Sequence, residues 1–335
     1  MKPKVFITGI TGMVGSHLAD YISNNTDWEI HGLCRWRSPL INLENHIENI
    51  NNGKNFFLHY GDLRDPLSIK YIIKKIKPDY CFHLAAQSFP KTSFESPLDT
   101  YETNIQGTET VLDSLKTYSP EAIIHVCSSS EVFGKVPREK LPINEECSFH
   151  PASPYAISKV STDLIARYYA EAYNMTVMST RMFTHTGPRR GDVFAESTFA
   201  KQIALIESKK QEPVIKVGNL KSLRTWADVR DAVIAYYKLV TDHPIPGAYY
   251  NIGGTFSCTI EEMLQTLINI SGIKVKIEID QNRIRPIDAD LQVPDTTKFT
   301  NHTGWKPIYS FEQTMTDLLN YWRQRVNNDN AIINR

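Results

Sequence analysis

The chain has 335 residues, 41% of them apolar, and carries 37 basic against 37 acidic side chains. A formal charge of zero excludes a general nucleic-acid binder, which needs a basic excess. The apolar share is enough for a substantial core, so neither disulfides nor a metal need hold the fold.

Through the first half, short apolar runs alternate with helical patterns, which predicts a parallel sheet flanked by helices. Strands are expected over 5–8, 29–34, 56–60, 80–85, 122–127 and 177–183, with helices over 13–23, 66–75, 98–118 and 154–173. After Thr184 the rhythm changes to loops rich in Gly, Pro and Arg. These join helices expected over 194–208, 229–241, 260–271 and 311–326 and a strand over 214–217. The expected fold class is α/β, a doubly wound parallel sheet over residues 1–183. That part carries the 154–173 helix, and a smaller C-terminal lobe over 184–330 sends some segments back to it. The sequence holds no internal repeat and no low-complexity segment.

The five cysteines (Cys34, Cys81, Cys127, Cys147, Cys258) are scattered and lack a Cys-x-x-Cys pair. Three of them sit in apolar, strand-like runs and read as small buried hydrophobes in a reducing compartment. No apolar run approaches the ~18 residues of a membrane span. Met1-Lys2-Pro3-Lys4 leads straight into a strand and leaves no room for a signal peptide, so the cytoplasm is the expected location.

Thr8-Gly9-Ile10-Thr11-Gly12-Met13-Val14-Gly15 follows the first strand and opens a helix. In that context glycines permit a tight turn and a close approach of backbone N–H groups to a pyrophosphate, which the helix N-terminus also attracts. The pattern is that of a Rossmann dinucleotide site. A site for NAD places Asp or Glu at the end of the second strand, on the ribose hydroxyls. Here that position is Leu33-Cys34, followed by Arg35-Trp36-Arg37-Ser38. Two guanidiniums and a hydroxyl, with no carboxylate, suit a 2′-phosphate and favour NADP; a solvated basic loop is the competing reading. Asp62-Leu63 after the third strand is placed to meet the adenine or to cap the strand end.

Further on, Ser128-Ser129-Ser130-Glu131 and Tyr155-Ala156-Ile157-Ser158-Lys159 supply a hydroxyl, a carboxylate, a phenol and an ammonium. At i and i+4 of a helix Tyr155 and Lys159 share a face. The ammonium is expected to favour the phenolate and lower the tyrosine pKa from about 10 toward neutrality. The same spacing occurs at Tyr71 and Lys75, so context distinguishes the pairs. A solvated loop carboxylate is the alternative for Glu131. Arg189, Arg190, Arg224 and Arg285 lie in loop-like segments where each suits a phosphate or a solvated surface. Lys201 falls on a helix, and Asp228 reads as a helix cap. His83 and His125 sit in strands as core residues, and no metal-ligand spacing appears.

With these pieces placed, the chain resembles the extended short-chain dehydrogenase/reductase superfamily over nearly its full length, with the closest likeness to GDP-mannose 4,6-dehydratases. Thr8–Gly12, Cys34–Ser38, Leu84-Ala85-Ala86-Gln87-Ser88, Ser129-Ser130-Glu131, Tyr155–Lys159, Phe183–Gly191 and Val217-Gly218-Asn219-Leu220 carry the likeness. The resemblance implies that Ser129 takes the place of the catalytic Thr and Glu131 that of the base, with Tyr155 and Lys159 in their usual roles. It implies a cofactor set of Gly9, Thr11, Gly12, Met13, Val14, Arg35, Arg37, Ser38, Asp62, Leu63, Leu84, Ala85, Ala86, Tyr155, Lys159, His185 and Arg190. The sugar side is implied at Ser88, Ser129, Glu131, Tyr155, Thr184, Lys201, Arg224 and Arg285.

Ser129 departs from the family's Thr, and Thr184 stands where relatives often carry Asn. The stretch Thr186-Gly187-Pro188-Arg189-Arg190-Gly191-Asp192 also looks like the companion 4-keto-6-deoxy reductases. The implied activity is an NADP-dependent nucleotide-sugar 4,6-dehydratase acting on GDP-mannose or a GDP-heptose, in a homodimer or homotetramer. A 4-keto reductase or 4-epimerase is the enzyme alternative. Nucleotide-sugar decarboxylases share the Ser-Glu segment, and a non-catalytic cofactor sensor would not need all four side chains. Neither nucleic acid nor membrane is an expected partner.

Overall fold

A computed structural model describes residues 2–284 and 291–328. The first part runs β1 (Lys4–Thr8), α1 (Met13–Asn25), β2 (Glu29–Cys34), α2 (Ile47–Asn51), β3 (Phe56–Tyr60), α3 (Pro66–Ile76) and β4 (Tyr80–His83). It continues through α4 (Pro90–Glu95), α5 (Pro97–Tyr101), α6 (Gly107–Tyr118), β5 (Ile123–Cys127), α7 (Pro154–Tyr173) and β6 (Val177–Met182). α3 shows how the sequence sets an element. Asp65 caps its first turn through the Leu67 N–H, and Pro66 occupies the first helical position. Ile69, Ile72, Ile73 and Ile76 recur along one buried face, and Lys77 ends the helix in the left-handed region.

The rest of the chain holds β7 (His185–Thr186), α8 (Ala195–Glu207), β8 (Val214–Val217), β9 (Leu223–Asp228), α9 (Val229–Thr241) and β10 (Tyr249–Ile252). Then come β11 (Phe256–Thr259), α10 (Ile260–Ser271), β12 (Lys276–Ile279), β13 (Leu291–Gln292), α11 (Thr297–Thr303) and α12 (Phe311–Asn328).

Seven strands form the main sheet in the order β10-β6-β5-β4-β1-β2-β3. Every neighbouring pair in it is parallel. This is the doubly wound α/β arrangement expected, with one more strand than the six expected. The strand order reverses between β1 and β4, which opens a crevice at their C-terminal ends. Side chains alternate across the sheet: Val5 and Ile7 join the core beneath α1 and α9, and Phe6 joins the core beneath α3, α6 and α7. A third core lies among α8, α10 and α12, with Phe199, Ile203, Leu264, Leu318 and Trp322 at its centre. β9 there pairs with β11, β13 and β7, and β8 pairs with β12.

Two expected elements are corrected. β4 stops at His83, and Leu84 and Ala85 lie in the loop beyond it. The helix expected over 98–118 is interrupted by a π-turn over Glu102–Gln106 between α5 and α6.

Candidate active site

The crevice begins at the turn after β1. Gly9 has φ +73, and a Cβ there would lie 2.9 Å from the Ala85 backbone. Only glycine lets β1 turn this close to the loop after β4. Gly12 is the N-cap of α1, with no side chain closing the helix end. The first-turn amides of α1, on Met13 and Val14 beside Thr11, thus form an anion-binding end.

Thr8 pins the facing loop: its Oγ1 accepts from the N–H groups of Leu84 and Ala85, both at 3.0 Å, and bonds His83 Nδ1 at 2.9 Å. Burial holds the His83 pKa down at about 3, so the ring is neutral. Its Nε2 then faces Thr108 Oγ1 at 3.1 Å, and Thr108 donates to the Asn104 carbonyl at 2.6 Å.

Asn104, in the π-turn, closes the chain of contacts. Its Oδ1 accepts from Gln87 N at 2.7 Å, and its Nδ2 donates to Gln87 O and to Ser158 Oγ on α7. Sequence reasoning missed this residue. Its one signal was an Asn inside an otherwise regular helical pattern. Ala86 is half-buried in the pinned loop, and Ser88 is exposed beyond it.

At the end of β2, Arg35 and Arg37 are exposed, and Ser38 closes a turn through its N–H to Arg35 O at 2.9 Å. Asp62 is taken up by Arg64, which binds both of its oxygens and holds its pKa below the usual carboxylate range. Leu63 is buried against Gly107. The uncapped glycine turn and the two guanidiniums at the end of β2 fit a nicotinamide dinucleotide.

β5 and the N-terminal part of α7 bring the chemical groups together. Ser129 caps a 3-10 turn over Ser130–Phe133, its Oγ accepting from Glu131 N at 3.2 Å. Gly134 ends the turn at φ +58, where any Cβ would collide with the His150 carbonyl. Ser153 caps α7 through the Ala156 N–H at 3.0 Å, with Pro154 next. Tyr155 is 9% exposed, and Lys159 is buried one turn on. Burial pushes the Tyr155 phenol up, while a hydrogen bond with Ser129 and the charge of Arg190 pull it down. Glu131 is half-buried beside them.

The expected ammonium–phenolate pairing is corrected here. Lys159 Nζ donates to the Cys127 carbonyl at 2.6 Å, and burial lowers the Lys159 pKa. Burial is thus the largest influence on Tyr155.

The segment after β6 supplies the opposite wall. The Thr184 carbonyl accepts from Ala227 N at 2.9 Å. His185 donates from Nδ1 to Phe183 O at 3.1 Å, and burial lowers its pKa to about 4. Arg189 pairs with Asp20 of α1 at 2.7 Å, and Arg190 pairs with Glu196 of α8 at 3.0 Å. Lys201 is buried and paired with Asp192 at 2.9 Å. Arg224 is buried on β9, where it donates to Leu223 O at 3.3 Å. Asp228 caps α9 through the Arg230 N–H. Arg285 lies outside the described residues. No group of three or more metal-ligating side chains occurs among the described residues, and no described helix is long and apolar enough to cross a membrane.

The GDP-mannose 4,6 dehydratase family matches residues 6–318. The GDP-mannose 4,6 dehydratase of Drosophila melanogaster is 32% identical, over 93% of this chain and 84% of its own. The GDP-6-deoxy-D-mannose reductase of Pseudomonas aeruginosa is 29% identical, over 97% of this chain and 99% of its own. Among solved structures, RMD from Pseudomonas aeruginosa complexed with NADPH superposes with a TM-score of 0.83 at 28% identity, covering 97% of this chain and 100% of that one. With a family match spanning nearly its whole length, the chain belongs to the GDP-mannose 4,6 dehydratase family.

Proposed function

We propose that this chain is a hydro-lyase, a nucleotide-sugar 4,6-dehydratase that works with NADP on GDP-mannose or a GDP-linked heptose. The observation that carries the reading is Glu131, a half-buried carboxylate two residues from the serine that hydrogen-bonds Tyr155. A reductase or a 4-epimerase needs no base for C5; a dehydratase does.

In this reading Tyr155 takes the proton of the C4 hydroxyl, with Ser129 bridging phenol and sugar oxygen. Glu131 removes the C5 proton, made acidic by the neighbouring ketone, and helps the C6 hydroxyl leave as water. Lys159 holds the ribose side of the cleft, beside the Cys127 carbonyl. When bound, the nicotinamide would supply hydride chemistry that oxidises C4 and reduces C6, so no external reductant would be consumed.

Gly9, Thr11, Gly12, Met13 and Val14 would hold the pyrophosphate. Arg35, Arg37 and Ser38 would hold the 2′-phosphate that distinguishes NADP from NAD. His185 and Arg190 would line the nicotinamide side, and Arg224 and Lys201 the sugar diphosphate. The lobe from residue 184 onward, apart from the segments that return to the main sheet, serves the substrate.

Ile157, Leu164 and Tyr168 are exposed along α7. This apolar stripe supports a homodimer or homotetramer, and the cytoplasm is the compartment that free cysteines suit.

Mass spectrometry after incubation with several nucleotide-sugars tests the reading. With catalytic NADP and no reductant, the product should be lighter by one water. A product of unchanged mass would point to a 4-epimerase, and conversion only when NADPH is supplied would point to a reductase.

A further inference from the structure

Trp36 is 78% exposed, whereas the other four tryptophans of the chain are buried. An indole left in water forfeits the stabilisation that burial gives it. This one stands just beyond the end of β2, where a Rossmann fold receives the adenosine end of a dinucleotide. Trp36 and Arg37 are the central residues of the turn that the Ser38 N–H closes on Arg35 O at 2.9 Å. The indole meets the ring of Tyr60 edge-on, with centroids 4.9 Å apart and planes at 72°. Tyr60 ends β3, two residues before Asp62. Beyond the turn, Asn42 Nδ2 donates to Thr11 O at 2.9 Å, which ties the segment to the glycine turn. Asp62, the other group placed for adenine, is already engaged. Its Oδ1 accepts from Arg64 N and Nε at 3.0 and 3.1 Å, and its Oδ2 from Arg64 Nη2 at 3.0 Å. Three of the carboxylate's roughly four acceptor positions are thus filled, which leaves little for the edge of a base.

We propose that Trp36 is the platform on which the adenine of the dinucleotide stacks, so that the base is held by its face and not read at its edge. Stacking on an aromatic ring tolerates a change of base, because every base has a π-face. Arg35 and Arg37, exposed on either side of Trp36 in the chain, supply the charge for the phosphate of the same nucleoside. The inference rests on the glycine turn holding a nicotinamide dinucleotide. It does not rest on NADP over NAD, which share the adenine, nor on the identity of the sugar.

Dinucleotide titrations of the full chain test it. Trp36 is the one exposed indole of the five, so the tryptophan emission that acrylamide quenches belongs to it. Saturating NADP or NAD should shield that emission. Trp36→Ala should weaken NADP and NAD alike, by about tenfold, and Trp36→Phe should restore most of the affinity. Loss of Arg35 and Arg37 should weaken NADP alone, which separates the platform from the phosphate contact. Nicotinamide hypoxanthine dinucleotide phosphate lacks the 6-amino group of adenine. It should bind the parent within about threefold of NADP, short of the loss that an unmade hydrogen bond brings. The side chain lies at the surface, so Trp36→Ala without cofactor should melt with the parent.

Parent-like affinity of Trp36→Ala for both dinucleotides would overturn the proposal, and a changed oligomeric state of that variant would then assign the indole to a contact with a second copy. A hypoxanthine dinucleotide bound about tenfold more weakly than NADP would overturn it as well, by giving recognition of the base to Asp62. A parent chain that binds no dinucleotide would remove the reading of the glycine turn and the platform together. Dinucleotide binding that ignores Trp36 removes the platform alone.

Discussion

Tyr71 and Tyr155 each stand four residues ahead of a lysine on a helix, yet Tyr71 is 68% exposed and Tyr155 only 9%. Tyr155→Phe should lower kcat by about 10²–10⁴-fold, the usual worth of a general acid–base group, while NADP binding persists. Tyr71→Phe should leave turnover at the parent level, and equal losses would remove Tyr155 from the site. Glu131→Gln is expected to abolish incorporation of solvent deuterium at C5 and the release of water; water released at the parent rate would dismiss Glu131 as the base. Replacing Arg35 and Arg37 with Gln should weaken NADP binding while NAD binding stays as it was, which titration with each dinucleotide reads directly. All these groups could be named as candidates from the sequence because each lies in a short local pattern. Asn104 and Glu196 could not be, because their meaning comes from partners that only the fold brings close: Gln87 and Ser158 for one, the Arg190 guanidinium for the other. The fate of Lys159 was hidden for the same reason, since its Nζ is held by a strand 32 residues back in the chain.

α7 carries Tyr155 and Lys159 at one end, and a further step of four residues reaches Asp163. That carboxylate is fully buried and binds Arg181 of β6 through both oxygens, at 3.0 and 3.1 Å. Arg181 is buried as well and donates to Glu145 O at 2.7 Å, so the helix is locked to the sheet at one azimuth. Removing one partner strands the other charge away from water. Asp163→Asn should cost about 3–5 kcal/mol, read as a lower midpoint in urea, and should impair turnover by loosening the helix. A stability within error of the parent would mean that the pair anchors nothing. The long elements were readable because their periodicity runs for many residues. β7, β9, β10, β11, β12 and β13 were not: all but the six-residue β9 offer only two to four residues of alternation, and each is a strand only because a neighbour pairs with it. The break in the 98–118 helix likewise follows from Asn104 turning inward.

Across the whole molecule, burial keeps six of the ten histidines neutral. The pKa values of His17, His31, His59 and His185 are held at about 4, and those of His83 and His125 at about 3, against 6.5 for an unfolded histidine. His31 and His59 share one hydrogen bond at 3.0 Å, which requires at least one unprotonated nitrogen. His125 bonds Thr180 through Nε2, while its buried Nδ1 has no protein partner. The sign is fixed: below 6.5 the unfolded chain takes up protons that the folded chain refuses. The stability that these rings contribute is complete above 6.5 and drains away as the pH falls toward 4. Urea midpoints should therefore drop steeply between neutral pH and about pH 5, and a flat profile there would contradict the neutral assignment of these rings.

The return of α9 and β10 to the first sheet also has a consequence in time. β6 ends at Met182, but its outer neighbour begins only at Tyr249, and α1 waits for α9 to cover it. At about 5–20 residues per second on the ribosome, the nascent chain spends several seconds with an open strand edge and a bare apolar face. Those surfaces are the ones that other chains can join during synthesis. A product released early, ending before residue 229, should thus accumulate as aggregate, and the full chain should depend on holding chaperones until its last third has emerged.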